Sequence, residues 1–191
     1  LLERAKSQQM NALALTDHGN LHGALKFYQT AKDLGLNPIL GLEAYIAPGS
    51  RFQKESAGSA KEASYHLTLL ARNRAGFQNL VRLSSLAFLE GFYFKPRIDK
   101  DLLAAHREGL ICLSGCVSSE LNRTLLAGGE ANMDKAADIA AWYQRLFGDD
   151  YYIEIQNNHL EVQRVAMEAA VDLAGRMGIP LVATSDVHYV H

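Results

Sequence analysis

The chain alternates short apolar runs with longer amphipathic stretches. Short runs with unbroken or period-two hydrophobicity predict strands, whereas apolar residues three and four positions apart predict helices. Strands are predicted at residues 12–15, 38–42, 67–70, 109–113, 150–156 and 179–183. Helices are predicted at residues 21–34, 74–90, 132–147 and 159–177, with shorter ones starting at Asp99 and at Ser118 or Ser119. This alternation predicts an α/β fold with parallel strand pairing and right-handed crossovers.

Residues that can bind a metal lie beside most of these apolar runs. They are His18, Glu43, His66, Cys116, Asp186 and His188, with Asp17 as a weaker candidate. Polar residues at the ends of many strands favour a closed or nearly closed barrel, because an open sheet would gather them at one switch point. A mixed His, Asp, Glu and Cys set suits zinc, manganese or iron better than magnesium or calcium. The pattern therefore predicts a metal site with several protein ligands.

Each candidate has an ordinary structural interpretation as well. Asp17 can cap the helix predicted to follow it. Glu43 lies in an apolar strand, so its carboxylate needs a metal, an arginine or a surface position. His66 fits a hydrogen-bonded core histidine, and Cys116 fits a buried thiol. The combination of residues, rather than any one of them, favours a metal site.

Composition narrows the class of protein. The chain has 191 residues and is 48% hydrophobic, which is enough for one well-buried domain. Its net charge is −2, but residues 51–107 carry ten Lys and Arg against five Asp and Glu. This basic segment fits a surface that faces phosphate and equally an ordinary solvated surface. No apolar run is long enough to predict a membrane span, and residues 48–63 are predicted to form a flexible surface loop.

The two cysteines predict reduced thiols. If residues 109–116 are extended, Cys112 and Cys116 lie roughly 13 Å apart, too far for a disulfide. Free thiols fit a cytosolic setting.

Four segments resemble a known family. They are ALTDHGNLHGA at 14–24, GFYFKPRID at 91–99, LSGC at 113–116 and TSDVHY at 184–189. With these segments the chain resembles, over essentially its whole length, the PHP (polymerase and histidinol phosphatase) domain of bacterial DNA polymerase III α subunits. Residues 93–99 and the Ser-Gly-Cys turn resemble the polymerase branch more than free-standing histidinol phosphatases.

The resemblance implies a fold and a ligand set. The fold would be a distorted (β/α)7 barrel, similar to a TIM barrel, with two or three divalent metals at one mouth. Zinc, manganese or iron would be held by His18, Glu43, His66, Cys116, Asp186 and His188. No side chain is assigned as catalytic. A metal-bound water is expected, with Asp186 and His188 nearby.

The amino end departs from the family pattern. The family opens with a strand that ends in His-x-His, and this chain starts after the position of that strand. We therefore expect an amino-terminally truncated fragment that consists of one PHP domain, residues 1–191, with its first strand missing. Polymerase palm, fingers and thumb are expected downstream.

The resemblance also implies a function. The parent would be the bacterial, cytoplasmic DNA polymerase that replicates DNA, and it would contact DNA and other replisome subunits without a membrane. The domain itself would be a metal-dependent phosphoesterase, acting as a 3′→5′ proofreading exonuclease. The alternative is a non-catalytic module that stabilises the polymerase and docks a separate exonuclease subunit. A free-standing histidinol-phosphatase-like phosphoesterase is the third possibility.

Overall fold

Seven strands and seven α-helices lie along residues 1–54 and 64–190, the part of the chain that this computed structural model describes. The strands are β1 (Ala12–Leu15), β2 (Asn37–Ile46), β3 (Tyr65–Ala71), β4 (Arg97–Ile98), β5 (Leu110–Leu113), β6 (Tyr151–Gln156) and β7 (Leu181–Thr184). The helices are α1 (Leu2–Ser7), α2 (Ala24–Asp33), α3 (Arg74–Leu89), α4 (Lys100–Ala105), α5 (Glu120–Leu126), α6 (Glu130–Phe147) and α7 (Glu161–Met177). A 3-10 turn, Gly148–Asp150, joins α6 to β6.

The strands form one sheet in the order β1-β2-β3-β5-β6-β7. The short strand β4 pairs with the end of β2, on the edge of β2 opposite β3. The pairs β1–β2, β5–β6 and β6–β7 are parallel. β3 runs antiparallel to both of its neighbours, so the prediction of parallel pairing is wrong at this strand. The side-chain alternation of a strand is the same in either direction, and the apolar pattern therefore carries no information about the reversal.

The sheet curls into a half-barrel, which confirms the predicted distorted α/β barrel. Within the described residues, β1 and β7 each pair with one neighbour only, so the curl stays open between them. A cleft of about 440 Å³ runs along the inner face of the curl. No helix among the described residues is long and apolar enough to cross a membrane.

The two faces of the sheet differ in polarity. Alternate strand residues, such as Leu42, Leu69 and Ile153, point outward and form the main core with the helices. Each such side chain contributes about 1.5–3 kcal/mol by leaving water. The residues between them point into the cleft. Aliphatic side chains line one part of the cleft, and polar side chains line the rest: Thr16, Glu43, Thr68, Glu154, Gln156 and Thr184. The mouth of the half-barrel is therefore the polar end of an otherwise apolar interior.

Two predicted helix starts are confirmed by side-chain caps. The Asp99 carboxylate accepts a hydrogen bond from the amide of Leu102, at 2.9 Å, and begins α4. Ser119, rather than Ser118, caps α5 by accepting from the amide of Asn122. α2 begins at Ala24, three residues later than predicted, because the Asn20 side chain accepts from the amide of His22 and residues 22–23 form a turn instead of helix. Residues 55–63 of the predicted 48–63 loop lie outside the described residues.

Candidate metal centre

Glu43 lies at the centre of the polar mouth. Its Oε1 is 2.5 Å from Nδ1 of His66, and its Oε2 is 3.4 Å from Nδ1 of His18. Ligand atoms of these three residues all lie within 4.8 Å of one another. A carboxylate flanked by two imidazole nitrogens is an arrangement that transition metals bind.

The backbone explains why these residues meet. In the β2–β3 pair, Glu43 lies opposite Thr68 and His66 lies opposite Tyr45, so both site residues point to the inner face. The segment after β1 continues alongside β2, because the amide of Glu43 donates to the Asp17 carbonyl and the amide of Gly19 donates to the Glu43 carbonyl. His18 is thereby held next to Glu43. Glu43 lies inside β2, which extends to Ile46, rather than at the strand end that the apolar run suggested.

Cys116 joins this group from the turn after β5. Its Sγ is 3.8 Å from Oε1 of Glu43 and 3.6 Å from Nδ1 of His66. Burial, together with the negative charge of Glu43, raises the pKa of the Cys116 thiol to about 12. The thiol is therefore protonated in the metal-free site. A cation would have to displace that proton to bind sulfur. Cys116 and Cys112 are both free, as predicted.

Asp186 and His188 lie at the rim of the mouth, after β7. Nδ1 of His188 lies 2.9 Å from the carbonyl oxygen of Asp186, and the His188 ring centroid is 5.7 Å from that of His18. The hydrogen bond with the Asp186 carbonyl and the nearby Asp186 carboxylate raise the pKa of His188. Asp186 lines the cleft together with Glu43 and Cys116, and it has a positive φ of 47°. The structure brings the pair near the cluster without placing it in direct contact with Glu43.

Asp17 is separate from the cluster. Its backbone carbonyl pairs with β2, but its Oδ2 lies on the side facing Gly23, 3.0 Å from where a Cβ at that position would be. The helix-cap interpretation of Asp17 is wrong, since α2 has no side-chain cap and its N-cap residue is Gly23.

Glu154 is a site residue that the sequence analysis missed. It is buried beneath the mouth, where Oε1 accepts from Thr184 (2.5 Å) and Gln156 (3.1 Å). Oε2 accepts from Thr68 (3.1 Å) and from the amide of Gly115 (3.2 Å). Burial raises the pKa of Glu154 despite these hydrogen bonds. One carboxylate thus joins β3, β6, β7 and the turn that carries Cys116.

Tyr45 forms an aromatic wall beside the two imidazoles. Its ring is stacked 6.1 Å from that of His18 and meets the His66 ring edge-on at 5.2 Å. Burial and the Glu43 carboxylate raise the pKa of the Tyr45 hydroxyl. This hydroxyl therefore stays neutral.

The donor set fits a divalent transition metal. His18, Glu43 and His66 supply two nitrogens and a carboxylate within reach of one another, and Cys116 adds a sulfur next to Glu43 and His66. Nitrogen and sulfur donors select zinc or iron, and the carboxylate also accepts manganese. The cleft leaves this cluster open toward the mouth, where a ligand can approach.

Solved structures of similar fold support the architecture. A protein from Bifidobacterium adolescentis, described as a candidate metal-dependent phosphoesterase, aligns with a TM-score of 0.54 and 14% identity. The alignment covers 98% of this chain and 81% of that one. An amidohydrolase from Chromobacterium violaceum aligns with the same TM-score and 15% identity, covering 98% and 80%. At these identities the likeness concerns the fold.

Sequence comparisons identify the family. DNA polymerase III α subunits are 44% identical over 191 residues in Borreliella burgdorferi and 47% identical over 190 residues in Treponema pallidum. The alignments cover 100% and 99% of this chain, and the chain spans 16% of the length of each relative. The profile of the PHP domain matches residues 1–158. The chain therefore belongs to the PHP domain family.

Proposed function

We propose that this chain is the PHP domain of a DNA polymerase III α subunit and that it hydrolyses phosphodiester bonds with the help of divalent metals. Its role in the parent would be 3′→5′ proofreading during DNA replication. The observation that carries the proposal is the convergence of His18, Glu43, His66 and Cys116 at one open mouth. Identity of 44–47% with polymerase subunits favours a polymerase parent over a free-standing histidinol phosphatase.

Each residue has a defined part in this proposal. Glu43 would help hold the cations together with both imidazoles, since one of its oxygens lies near His66 and the other near His18. His18, His66 and Cys116 would complete the inner ligand set, and Asp186 and His188 would add ligands from the rim. Divalent cations held there supply Lewis-acid activation of a water and neutralise charge on the phosphate. Tyr45 lines one side of the site, where its ring contacts the rings of His18 and His66.

The open edges of β1 and β7 support a further part of the proposal. Both strands have an unpaired side within the described residues, and the inner cleft lies between them. We propose that an additional strand in the parent chain fills this gap and supplies the His-x-His ligands of the family. The domain boundaries, with polymerase domains downstream, form part of the same proposal.

Metal content tests the proposal most directly. The full-length natural protein would be dialysed extensively and its metals measured by elemental analysis, beside a His66→Ala variant. Two or three tightly held transition metals per chain, with loss of at least one in the variant, would support the site. Release of nucleotides from a mismatched 3′ end that requires these metals would then support catalysis. A folded protein without bound metal and without such release would refute it.

A second candidate is a docking module for a separate exonuclease subunit. It is favoured by an outer groove of about 510 Å³ between α2 and α3, lined by Leu25, Tyr28, Phe77 and Arg74 among others. Leu25 is 69% exposed and Tyr28 is 45% exposed, so the groove presents adjoining apolar surface to solvent. A Leu25→Glu variant that keeps its metals but no longer binds the exonuclease subunit would support this role.

A further inference from the structure

A tight turn beside the metal centre displays aromatic rings and a lysine to solvent. The amide of Tyr93 donates to the carbonyl of Lys95 at 3.0 Å, which places Phe94 at the tip. Phe94 has a φ of +58° and is 50% exposed, and its ring lies 4.5 Å from that of Tyr93. A left-handed conformation is unfavourable for a bulky residue and marks a position that the surroundings impose.

Arg97 holds this turn in place. Its side chain is buried and donates to three backbone carbonyls, those of Gly91 (3.1 Å), Arg51 (3.1 Å) and Gln53 (2.8 Å). The guanidinium also lies 5.0 Å from the centre of the Tyr93 ring. Pro96 packs against Gly19, where an added Cβ would come within 2.8 Å of the proline ring. The turn is therefore anchored on both sides before any ligand binds.

The ring of Tyr45 lies between this turn and the two histidines of the candidate metal centre. The ammonium of Lys95 is 5.5 Å from the centre of the Tyr45 ring. That ring in turn contacts the rings of His18 and His66. In the part of the chain that the structure describes, Lys95 has no carboxylate within ion-pair distance. The Lys95 ammonium is therefore available to bind an anionic ligand next to the site.

We propose that the Tyr93–Phe94–Lys95 turn is a substrate subsite that binds one unpaired nucleotide of single-stranded DNA. The base would stack on Phe94, and Lys95 would contact a phosphate near the scissile bond. Aromatic platforms combined with cationic side chains are how proteins bind single strands without reading their sequence. A simple phosphomonoester needs the cation but has no base to stack. The proposal rests on the proposed function and names its substrate class.

Photocrosslinking locates the subsite independently of catalysis. The full-length protein would be mixed with an oligodeoxynucleotide that carries 5-iododeoxyuridine at its 3′ end, irradiated, digested and analysed by mass spectrometry. We expect a crosslink within residues 93–95. Crosslinks in the downstream polymerase domains serve as an internal reference. Phe94→Gly is the informative variant, because glycine accepts the positive φ and removes only the ring.

Kinetics supply the second measurement. Loss of one stacked base predicts a roughly 5- to 100-fold rise in KM for the single strand in Phe94→Gly, with kcat little changed. Phe94→Trp should keep a KM close to that of the parent. Lys95→Ala should raise KM and reduce its dependence on salt. Lys26→Ala is the matched control for Lys95→Ala, since Lys26 is an exposed lysine on α2 that does not line the cleft at the mouth.

The outcomes separate the two proposals. A crosslink at residues 93–95 that disappears in Phe94→Gly supports the subsite, even if no nuclease activity is found and the proposed catalysis fails. Nuclease activity with an unchanged KM in Phe94→Gly, and no crosslink in this turn, overturns the subsite and leaves the proposed function standing. Absence of both activity and crosslink overturns both.

Discussion

Glu154 offers the sharpest test of how the centre is held together. Its carboxylate accepts four hydrogen bonds, from Thr68, Gly115, Gln156 and Thr184. In Glu154→Ala, the buried Gly115 amide loses its acceptor, which costs about 1–3 kcal/mol. The two threonine hydroxyls can rotate to other partners, so each loses about 1 kcal/mol at most. We expect the free energy of unfolding to fall by about 3 kcal/mol.

Glu154→Gln is the matched control, because an amide can satisfy the same neighbours. Its oxygen can accept from Thr68 and Gly115 in place of Oε2 of Glu154. Its NH₂ group can donate to Thr184 and to Gln156 Oε1, a buried atom with no hydrogen-bond partner among the described residues. We expect Glu154→Gln to unfold within about 1 kcal/mol of the parent at neutral pH. Urea unfolding of metal-free protein, with unchanged m values, measures both variants.

The pH dependence of stability adds a second readout. Because burial raises the pKa of Glu154 in the folded state, native protein binds more protons than unfolded protein between the usual and the raised pKa. The parent therefore loses stability as pH rises through this window, and Glu154→Gln does not. The stability of the variant relative to the parent should rise with pH and then level off. Equal destabilisation by Ala and Gln, or a flat difference across pH, would refute this account of the network.

Three other predictions concern the surroundings of the centre. Asp99→Ala should lower the free energy of unfolding by about 2–3 kcal/mol in urea, because the carboxylate caps α4 and pairs with Arg51 at 3.0 Å. Burial by itself would raise the pKa of Asp99. Hydrogen bonds from the Arg51 and Leu102 amides and from the Arg51 guanidinium outweigh burial, so the pKa of Asp99 is lowered overall. Its contribution should therefore be present above the usual pKa and be lost as pH falls through the lowered one; a variant as stable as the parent at pH 7 would contradict this. Gly91→Ala should destabilise the protein by about 1–3 kcal/mol, since a Cβ there would overlap the carbonyl oxygen of Arg97. Thermal unfolding measures this change, and an unchanged Tm would show that the backbone of residues 91–97 shifts to make room for the Cβ at little cost in free energy. Iodoacetamide should alkylate Cys116 of the metal-free protein slowly at pH 8, with a rate still rising at pH 10, because its pKa is about 12; a plateau below pH 9 would mean that the thiolate is stabilised.

The sequence predicted the elements well because their patterns are local. The helix beginning at Asp99 and the one beginning at Ser119 start where short polar side chains can cap them. The direction of β3 was missed, since it depends on which strand β3 pairs with and not on its own residues. Tertiary pairing of this kind leaves no trace in the alternation of apolar side chains.

The candidate site was predictable in its residue types but not in its geometry. His66 could have been an ordinary core histidine, and only its position opposite Tyr45 turns its ring toward Glu43. Glu154 was missed although the alternation of Tyr-Tyr-Ile-Glu-Ile-Gln in β6 already indicates an acid facing inward. The separation of Asp186 and His188 from the inner cluster depends on the turn after β7, where Asp186 adopts a positive φ that no pattern predicts.

The reversal of β3 has a consequence for how this domain can vary. Because β3 runs opposite to β2, its first residues lie at the mouth, where His66 meets Glu43, and its last residues lie at the far end. The connection between the two strands therefore leaves from the mouth and returns to it. Residues added between Ile46 and Tyr65 would therefore join both strands at the mouth end and need not shift the register of the strand pair. Related domains can thus differ in length at this position while keeping the strand pair that brings Glu43 and His66 together.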